Sequence, residues 1–360
     1  MFADLRLAAH RLLRARGFAL VAIVTLALGL AATTAIFSLV DAVVLRPFPY
    51  PGADRLVALT HEVPGVPQAP AWGLSKSNAF YYGSNPAIER IGIYTAPGVT
   101  LAGGDHADQV PAVLGSIGLL DVLGARAQLG RLFGPADVPR PDGADSDGPA
   151  NVAVLSDATW RARFGADPRV VGRTVRVDDQ PVTVIGVLAP LQTQGIAGLP
   201  ADGAGVWLPL AMDSLAPAHN HHVYQALARL RPGVTPAAAE RELRGMAGQL
   251  VARFPTAYRR DFMEQTGFRP AVTPLRTAVI GPIARVLWLV LGGVLLVLAI
   301  AGANVANLIL TRREAQRRDV AVRVALGARR RQLVREASAE GAVLASIAAA
   351  VALPIAALAV

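Results

Sequence analysis

Three stretches of this chain are apolar almost without interruption, and what lies between them alternates. Val286 to Leu310, VLWLVLGGVLLVLAIAGANVANLIL, contains no charged residue. At about 1.5 Å per residue it reaches roughly 37 Å as a helix, against a hydrocarbon core of about 30 Å. Phe18 to Val40 is a second run, whose polar side chains, Thr25, Thr33, Thr34 and Ser38, can bond to helix carbonyls. It is longer than the roughly 7–15 apolar residues of a cleaved signal peptide, so it reads as a retained anchor. Ala337 to Val360 is the third, with one acid, Glu340, near its start.

Between the first two runs the period changes. Asn151–Ser156, NVAVLS, reads as a strand, after which Ser156 can cap a short helix over Asp157–Phe164 that Gly165 would stop. Arg173–Val177 alternates polar and apolar, and Pro181–Val187 does so again after Asp178–Gln180, which predicts a hairpin. Thr235 is a candidate N-cap with Pro236 at the first helical position. Leu243, Met246, Leu250 and Phe254 follow as an apolar helical stripe. Strands and helices mix without regular βαβ alternation, so the region is α+β.

Composition agrees with a divided chain. At 53% hydrophobic residues and a mean hydropathy of +0.40, it suits a few spans plus one sizeable soluble domain. With no cysteine, disulfides and thiolate metal sites are excluded.

The net charge of +9 sits in two places, +3 in Met1–Gly17 and +6 in Thr311–Glu336. Charge that flanks apolar runs follows the positive-inside pattern, not the docking face of a nucleic-acid binder. The reading is a membrane protein with α-helical transmembrane spans and a large α+β extracytoplasmic domain. It runs as a basic cytoplasmic N-terminus (1–17), first span (18–45), periplasmic domain (46–285), second span (286–310), cytoplasmic segment (311–336) and third span (337–360). The Pro/Gly/Asp loop Gly134–Ala150 is a candidate internal boundary. A C-terminus outside the membrane, ending in apolar AALAV, predicts that the chain is truncated.

Several blocks now point to a family. DLRLAAHRLLRARGFALVAIVTLALGLAATTAIFSLVDAVVLRPFPYPGADRLV resembles the first helix and exit of the MacB/FtsX-type ABC transporter permeases. NVAVLSDATWRARFGADPRVVGRTVRVDDQPVTVIGV, VWLPL and LARLRPGVTPAAAERELRGMAGQL resemble that family's periplasmic core domain, and NVANLILTRREAQRRDVAVRVALGARRRQLVRE its second helix and coupling segment. Asp319 stands where members tend to carry Glu, and Gly115–Ala125 lacks the usual aromatic. A complete half-unit in the family has four spans.

The resemblance implies docking on a cytoplasmic ABC ATP-binding subunit through Asp319, Val320, Arg323, Val324, Ala325, Leu326, Gly327 and Ala328. It also implies a homodimer or a second permease half, an inner-membrane location, and work in efflux, lipoprotein release or mechanotransmission. The residues are compatible: Val320, Val324 and Gly327 recur at helical spacing, and Gly327 can end a helix at positive φ. A basic loop that only sets orientation or touches anionic lipid fits the composition as well. No Walker A loop exists, since Lys76 in GLSKS is the one lysine. No cofactor and no catalytic constellation is visible, so the chain reads as a non-enzyme and ATP hydrolysis belongs to another subunit. The other reading is a membrane-tethered binding or sensory module without an ATPase.

HNHH, with His219, His221 and His222, reads as a solvated loop and not as a metal site, because it lacks nearby acids or cysteines at ligand spacing. Ala27, Ala31, Ala35 and Ala299, Gly302, Ala303, Ala306 form small-residue stripes that permit close helix approach. Asn304 and Asn307, one turn apart, are expected to hydrogen-bond between helices.

Overall fold

The structure, a computed structural model, describes residues 10, 12, 15–46, 48–102, 107–138, 151–200, 205–212, 220–315 and 330–359. The elements begin with α1 (Arg16–Val40), β1 (Leu56–Glu62), β2 (Ala71–Trp72), α2 (Lys76–Gly83), β3 (Ile88–Thr95), β4 (Gly98–Ala102), β5 (Ala107–Gly115), α3 (Ile117–Leu123), β6 (Ala127–Gly130) and β7 (Val152–Leu155). They continue with α4 (Asp157–Phe164), β8 (Thr174–Val177), β9 (Gln180–Leu188), β10 (Val206–Pro209), β11 (Gln225–Leu230), α5 (Pro236–Ala247), α6 (Leu250–Arg253), α7 (Arg260–Thr266), β12 (Arg269–Pro274), α8 (Leu275–Ala315) and α9 (Arg330–Ala359). The chain divides into two compact units, Met1–Arg46 with Pro282–Val360, and Pro47–Gly281.

In the first unit, the segments Arg16–Leu45, Ile283–Arg312 and Ser338–Leu358 are each helical, long and apolar enough to cross a membrane. Beyond Val40 the first helix widens into a π-turn, Asp41–Leu45, and Asp41 there pairs with Arg46 at 3.3 Å. The small residues of α1 form a packing seam. Ala22, Ala27, Gly29 and Ala31 are buried, and a Cβ on Gly29 would stand 3.0 Å from Leu298 Cδ1. A larger side chain there would push α1 and α8 apart. The second stripe differs: Ala299, Ala303 and Ala306 are exposed within this chain, and so are Asn304 and Asn307. Among the described residues, no interhelical hydrogen bond of those asparagines is seen, and both side chains are exposed.

The second unit is built on one sheet with two parts. In the first, β12, β1, β11 and β3 lie side by side, all neighbours antiparallel. β1–α2–β3 and β11–α5–β12 are two βαβ units, each split by one strand of the other, which is the ferredoxin-like arrangement. Helices α2, α5 and α6 bury Tyr82, Leu243 and Leu250 against Val57, Ile93 and Ala228 of the sheet. Thr235 caps α5 by accepting from the Ala238 amide, with Pro236 next, as expected. The stripe Leu243–Phe254 is buried as read, except for partly buried Met246, but the helix breaks at Gly248–Gln249 and restarts as α6. A glycine lacks a side chain to pack and relaxes the backbone there.

The second part is inserted between β3 and β11. Strands β5, β4, β8, β9, β7 and β10 pair in that order, and β10 then pairs with β5, so six strands close into a barrel. Two of its contacts are parallel, β7 with β9 and β10 with β5. Leu101, Leu155, Val175, Val177, Val182, Val184 and Leu208 fill it, and Trp160 of α4 packs against that core. The hairpin β8–β9 forms as read, with Val177 opposite Gln180. Its turn residues, Asp178 and Asp179, both have positive φ, 46° and 65°. Two such residues make the turn whose twist matches a hairpin. Ser156 caps α4 through the Thr159 amide, and Gly165 ends it in the left-handed conformation. Residues 139–150 of the Gly134–Ala150 loop lie outside the described residues. The strands on either side of it, β6 and β7, both pair with β9.

Candidate functional site at the base of the second unit

The chain enters the second unit just before β1 and leaves it just after β12. These two strands are neighbours, with Val57 opposite Pro274, so entry and exit meet at one end of one antiparallel pair. The residues around that point form a polar cluster.

Arg229 of β11 is buried, at 6% exposed. Its Nη1 donates to the Pro51 carbonyl, and its Nη2 donates to the Val122 carbonyl at 2.7 Å. One guanidinium thus ties the entry segment to the C-terminal end of α3, where unpaired carbonyls and the helix dipole favour a cation. Burial pulls the Arg229 pKa down, and the nearby Glu89 carboxylate opposes that shift. Arg55 donates to Glu89 at 2.5 Å and to the Leu230 carbonyl at 2.9 Å. The Arg55 hydrogen bond holds the Glu89 carboxyl below its usual range. Gly52 occupies the left-handed region at φ +59°, and a Cβ there would lie 2.8 Å from Arg229 Nη1. The turn needs glycine for both conformation and space.

A loop, 189–200, joins the entry and exit segments. The Tyr50 hydroxyl donates to the Gln192 carbonyl, and the Tyr94 hydroxyl to the Ala197 carbonyl at 2.6 Å. Burial pushes the Tyr50 pKa up to about 12 and raises that of Tyr94 too, so both stay protonated donors. Thr193, buried, donates to Pro200 at 2.7 Å and closes the loop on itself. Ile196 and Leu199 share one core with Tyr50 and with Leu275 at the start of α8. Gly195, at φ +82°, sits so close that a Cβ would be 2.6 Å from Val279 Cγ1. The first turn of α8, Tyr50 and this loop therefore form one packed joint.

The residues read as the coupling segment, Asp319, Val320, Arg323, Val324, Ala325, Leu326, Gly327 and Ala328, lie outside the described residues. His219 does too. His222 corrects the reading of HNHH as a solvated loop: it is half-buried, with Nδ1 3.2 Å from the Gly73 carbonyl and Nε2 3.0 Å from the Tyr258 hydroxyl. His61, fully buried, does the same, with Nδ1 3.1 Å from Gly73 O and Nε2 2.9 Å from the Tyr82 hydroxyl. A carbonyl only accepts, so both rings carry their proton on Nδ1 and accept at Nε2. Desolvation lowers the His61 pKa to about 3 and that of His222 to about 4. Among the described residues, no group of three metal-ligating side chains converges. Sequence reasoning missed the whole base. RPFPYPG, with its aromatic between prolines, was the one local signal of a fixed entry turn.

Comparison with known proteins agrees with the residues. The family description "MacB-like periplasmic core domain" matches residues 19–246, and "FtsX-like permease C-terminal" matches residues 291–360. The chain is 27% identical over 230 residues to the macrolide export ATP-binding/permease protein MacB of Burkholderia thailandensis, which covers 63% of this chain and 32% of that protein. A MacB 2 of Aeromonas hydrophila is 27% identical over 218 residues, 60% of this chain and 30% of the relative. The matched region thus spans about a third of the length of these curated relatives. Among solved structures, a domain of a permease-like protein from Porphyromonas gingivalis aligns with a TM-score of 0.45 at 21% identity, covering 62% of this chain and 92% of that one. The periplasmic region of MacB from Actinobacillus actinomycetemcomitans aligns at 0.43 and 16% identity, covering 62% and 90%. With the core-domain description matched over more than half its length and the permease description over its last apolar helices, the chain belongs to the MacB/FtsX-type permease family.

Proposed function

We propose that this chain is the permease subunit of an ABC-type assembly and transmits ATP-driven motion from a cytoplasmic ATPase to its outer unit. The observation that carries the reading is the base. The segments that follow the first apolar helix and precede the second are neighbours, and Arg229, Tyr50 and the 189–200 loop clamp them. Displacement of either helix along its axis would act directly on β1 and β12. In this reading residues 1–17 and 311–336 are cytoplasmic, 18–45, 286–310 and 337–360 cross the inner membrane, and 46–285 is periplasmic. Asp319 to Ala328 dock on the ATPase, two permease halves work together, and ATP hydrolysis stays in the partner. Efflux, lipoprotein release and control of a periplasmic enzyme are the outputs that such motion can serve.

The test is co-purification from membranes with cytoplasmic ATP-binding subunits. Deleting Asp319–Ala328, or combining Val324→Asp with Gly327→Pro, should abolish capture and leave membrane insertion intact. Capture that survives both changes would overturn the docking role. Absence of capture by the unaltered, correctly inserted chain would favour a tethered sensory module.

A further inference from the structure

The histidine layer behind β1 has an outer side. A cavity of about 530 Å³ opens there, lined by the rings of Trp72, His222, Tyr258, Phe262 and Phe268. That volume lies in the range of small-molecule sites. Tyr258 is 3% and Phe268 8% exposed, whereas Phe262 on α7 is 38% exposed, so the apolar depth grades into an open mouth.

The rings are fixed before anything binds. Phe268 stacks on His61, centroids 4.4 Å apart and planes at 26°. The Tyr258 hydroxyl spends its one proton on His222, which in turn donates to Gly73. Trp72 and Phe262 lie nearly parallel, 6.1 Å apart at 25°, and Phe268 stands at 67° to Trp72. Their separation is too small to admit a ring between Trp72 and Phe262, so a guest must lie against the inner faces. Rigid, edge-and-face aromatic walls suit a ring system better than a flexible chain.

Charge narrows the class. Arg259 and Asp261 are the ionised groups of the lining, and they neutralise each other, Nε to Oδ1 at 3.1 Å and Nη2 to Oδ2 at 2.6 Å. Both are largely exposed at the mouth. His222 is held neutral by its donor–acceptor pattern. An anion would meet the negative faces of the rings and an arginine already paired. A cation would be drawn to the same ring faces, but Arg259 stands at the mouth and, among the described residues of the lining, Asp261 is the one carboxylate and is already paired. Gln265 and Asn220 offer uncharged hydrogen bonds at the rim.

We infer that this cavity is a binding site for a small uncharged molecule with an aromatic ring system, its ring on Phe268 and Tyr258 and its polar end toward Gln265 and the Arg259–Asp261 pair. The site is independent of the ATPase reading.

The test uses the full chain in lipid nanodiscs, with empty nanodiscs as control. Saturation-transfer NMR would follow indole as the uncharged probe and indole-3-acetate as its anionic counterpart. Saturable indole binding is expected, weakened at least fivefold by Phe262→Ser, and at least fivefold weaker for the anion. Phe262 is exposed enough for the variant to fold, and Phe80→Ser, at another exposed ring, should leave binding unchanged. The proposal is overturned by indole binding no better than to empty nanodiscs, or by equal binding to the Phe262→Ser chain. Binding of a tryptophan-containing peptide without binding of indole would also overturn it and assign the cavity to a protein partner.

Discussion

Acidification should weaken the second unit before it touches the ion pairs. His61 and His222 fall to about 3 and about 4 in the folded state, through burial, from an ordinary value of 6.5. The folded value is the lower one, so the unfolded chain binds more protons. Stability is therefore highest above about pH 6.5 and declines as the pH falls towards the folded values. Between pH 7.5 and pH 4.5 the two histidines together cost on the order of 5 kcal/mol, at 1.36 kcal/mol per pH unit. The carboxylates contribute in a different window. Asp137, Asp157 and Asp261 have pKa values lowered chiefly by arginine hydrogen bonds, so their stabilisation is lost as the pH falls from the usual carboxylate value towards their lower folded values, below the histidine window. Guanidinium unfolding of the full chain in detergent, followed by tryptophan fluorescence, reads the effect. Trp72 reports locally, with its ring 5.5 Å from that of His222. A His61→Phe/His222→Phe chain should start less stable, since Gly73 O and two tyrosine hydroxyls lose partners, and should show a much flatter pH slope. A fall of less than about 1 kcal/mol between the two pH values would refute the reasoning, because the cited shifts demand several times as much. An unchanged slope in the double variant would refute it equally.

Two further outcomes follow from the base and the barrel. Arg229→Met keeps the length of the side chain but leaves the Pro51 and Val122 carbonyls without their donor, and should cost about 2–3 kcal/mol in the same unfolding assay. Lysine at 229 should recover only part of this, because one ammonium does not reproduce the guanidinium fork. Asp179→Gly should stabilise the chain by roughly 0.5–1 kcal/mol, since relief of about 1–2 kcal/mol of left-handed strain at φ +65° outweighs the roughly 0.4–1 kcal/mol of added unfolded-chain entropy, and the Arg176–Asp179 pair at 3.4 Å is largely exposed. A lower thermal midpoint for Asp179→Gly would contradict the turn assignment.

What could be read from the chain was what is local. The 174–188 hairpin, the Ser156 and Thr235 caps and the Gly165 stop each depend on residues within a few positions of one another. The barrel closure does not: Ala112 pairs with Val206, and no periodicity in either strand names the other. The split βαβ pattern was hidden in the same way, because the barrel interrupts it between β3 and β11. At the base, Tyr50 reaches across 142 positions to Gln192, and Arg229 across 178 to Pro51. An arginine in a strand and a tyrosine in a proline-rich turn carry no sign of such partners. HNHH misled for a related reason: its last histidine leaves the loop to join His61, Gly73 and Tyr258, which only the tertiary fold brings near.

Attachment at adjacent strand ends has a mechanical consequence. Two antiparallel neighbours pulled apart from the same end separate like a zipper, one ladder bond at a time, and offer little resistance. The β1–β12 pair would open first at Val57 and Pro274. Arg229 and Tyr50 anchor the strand end that would peel first, converting a compliant seam into a stiff one. The barrel shares in this joint, because the 189–200 loop that packs on Tyr50, Leu275 and Val279 is the connection between its strands β9 and β10.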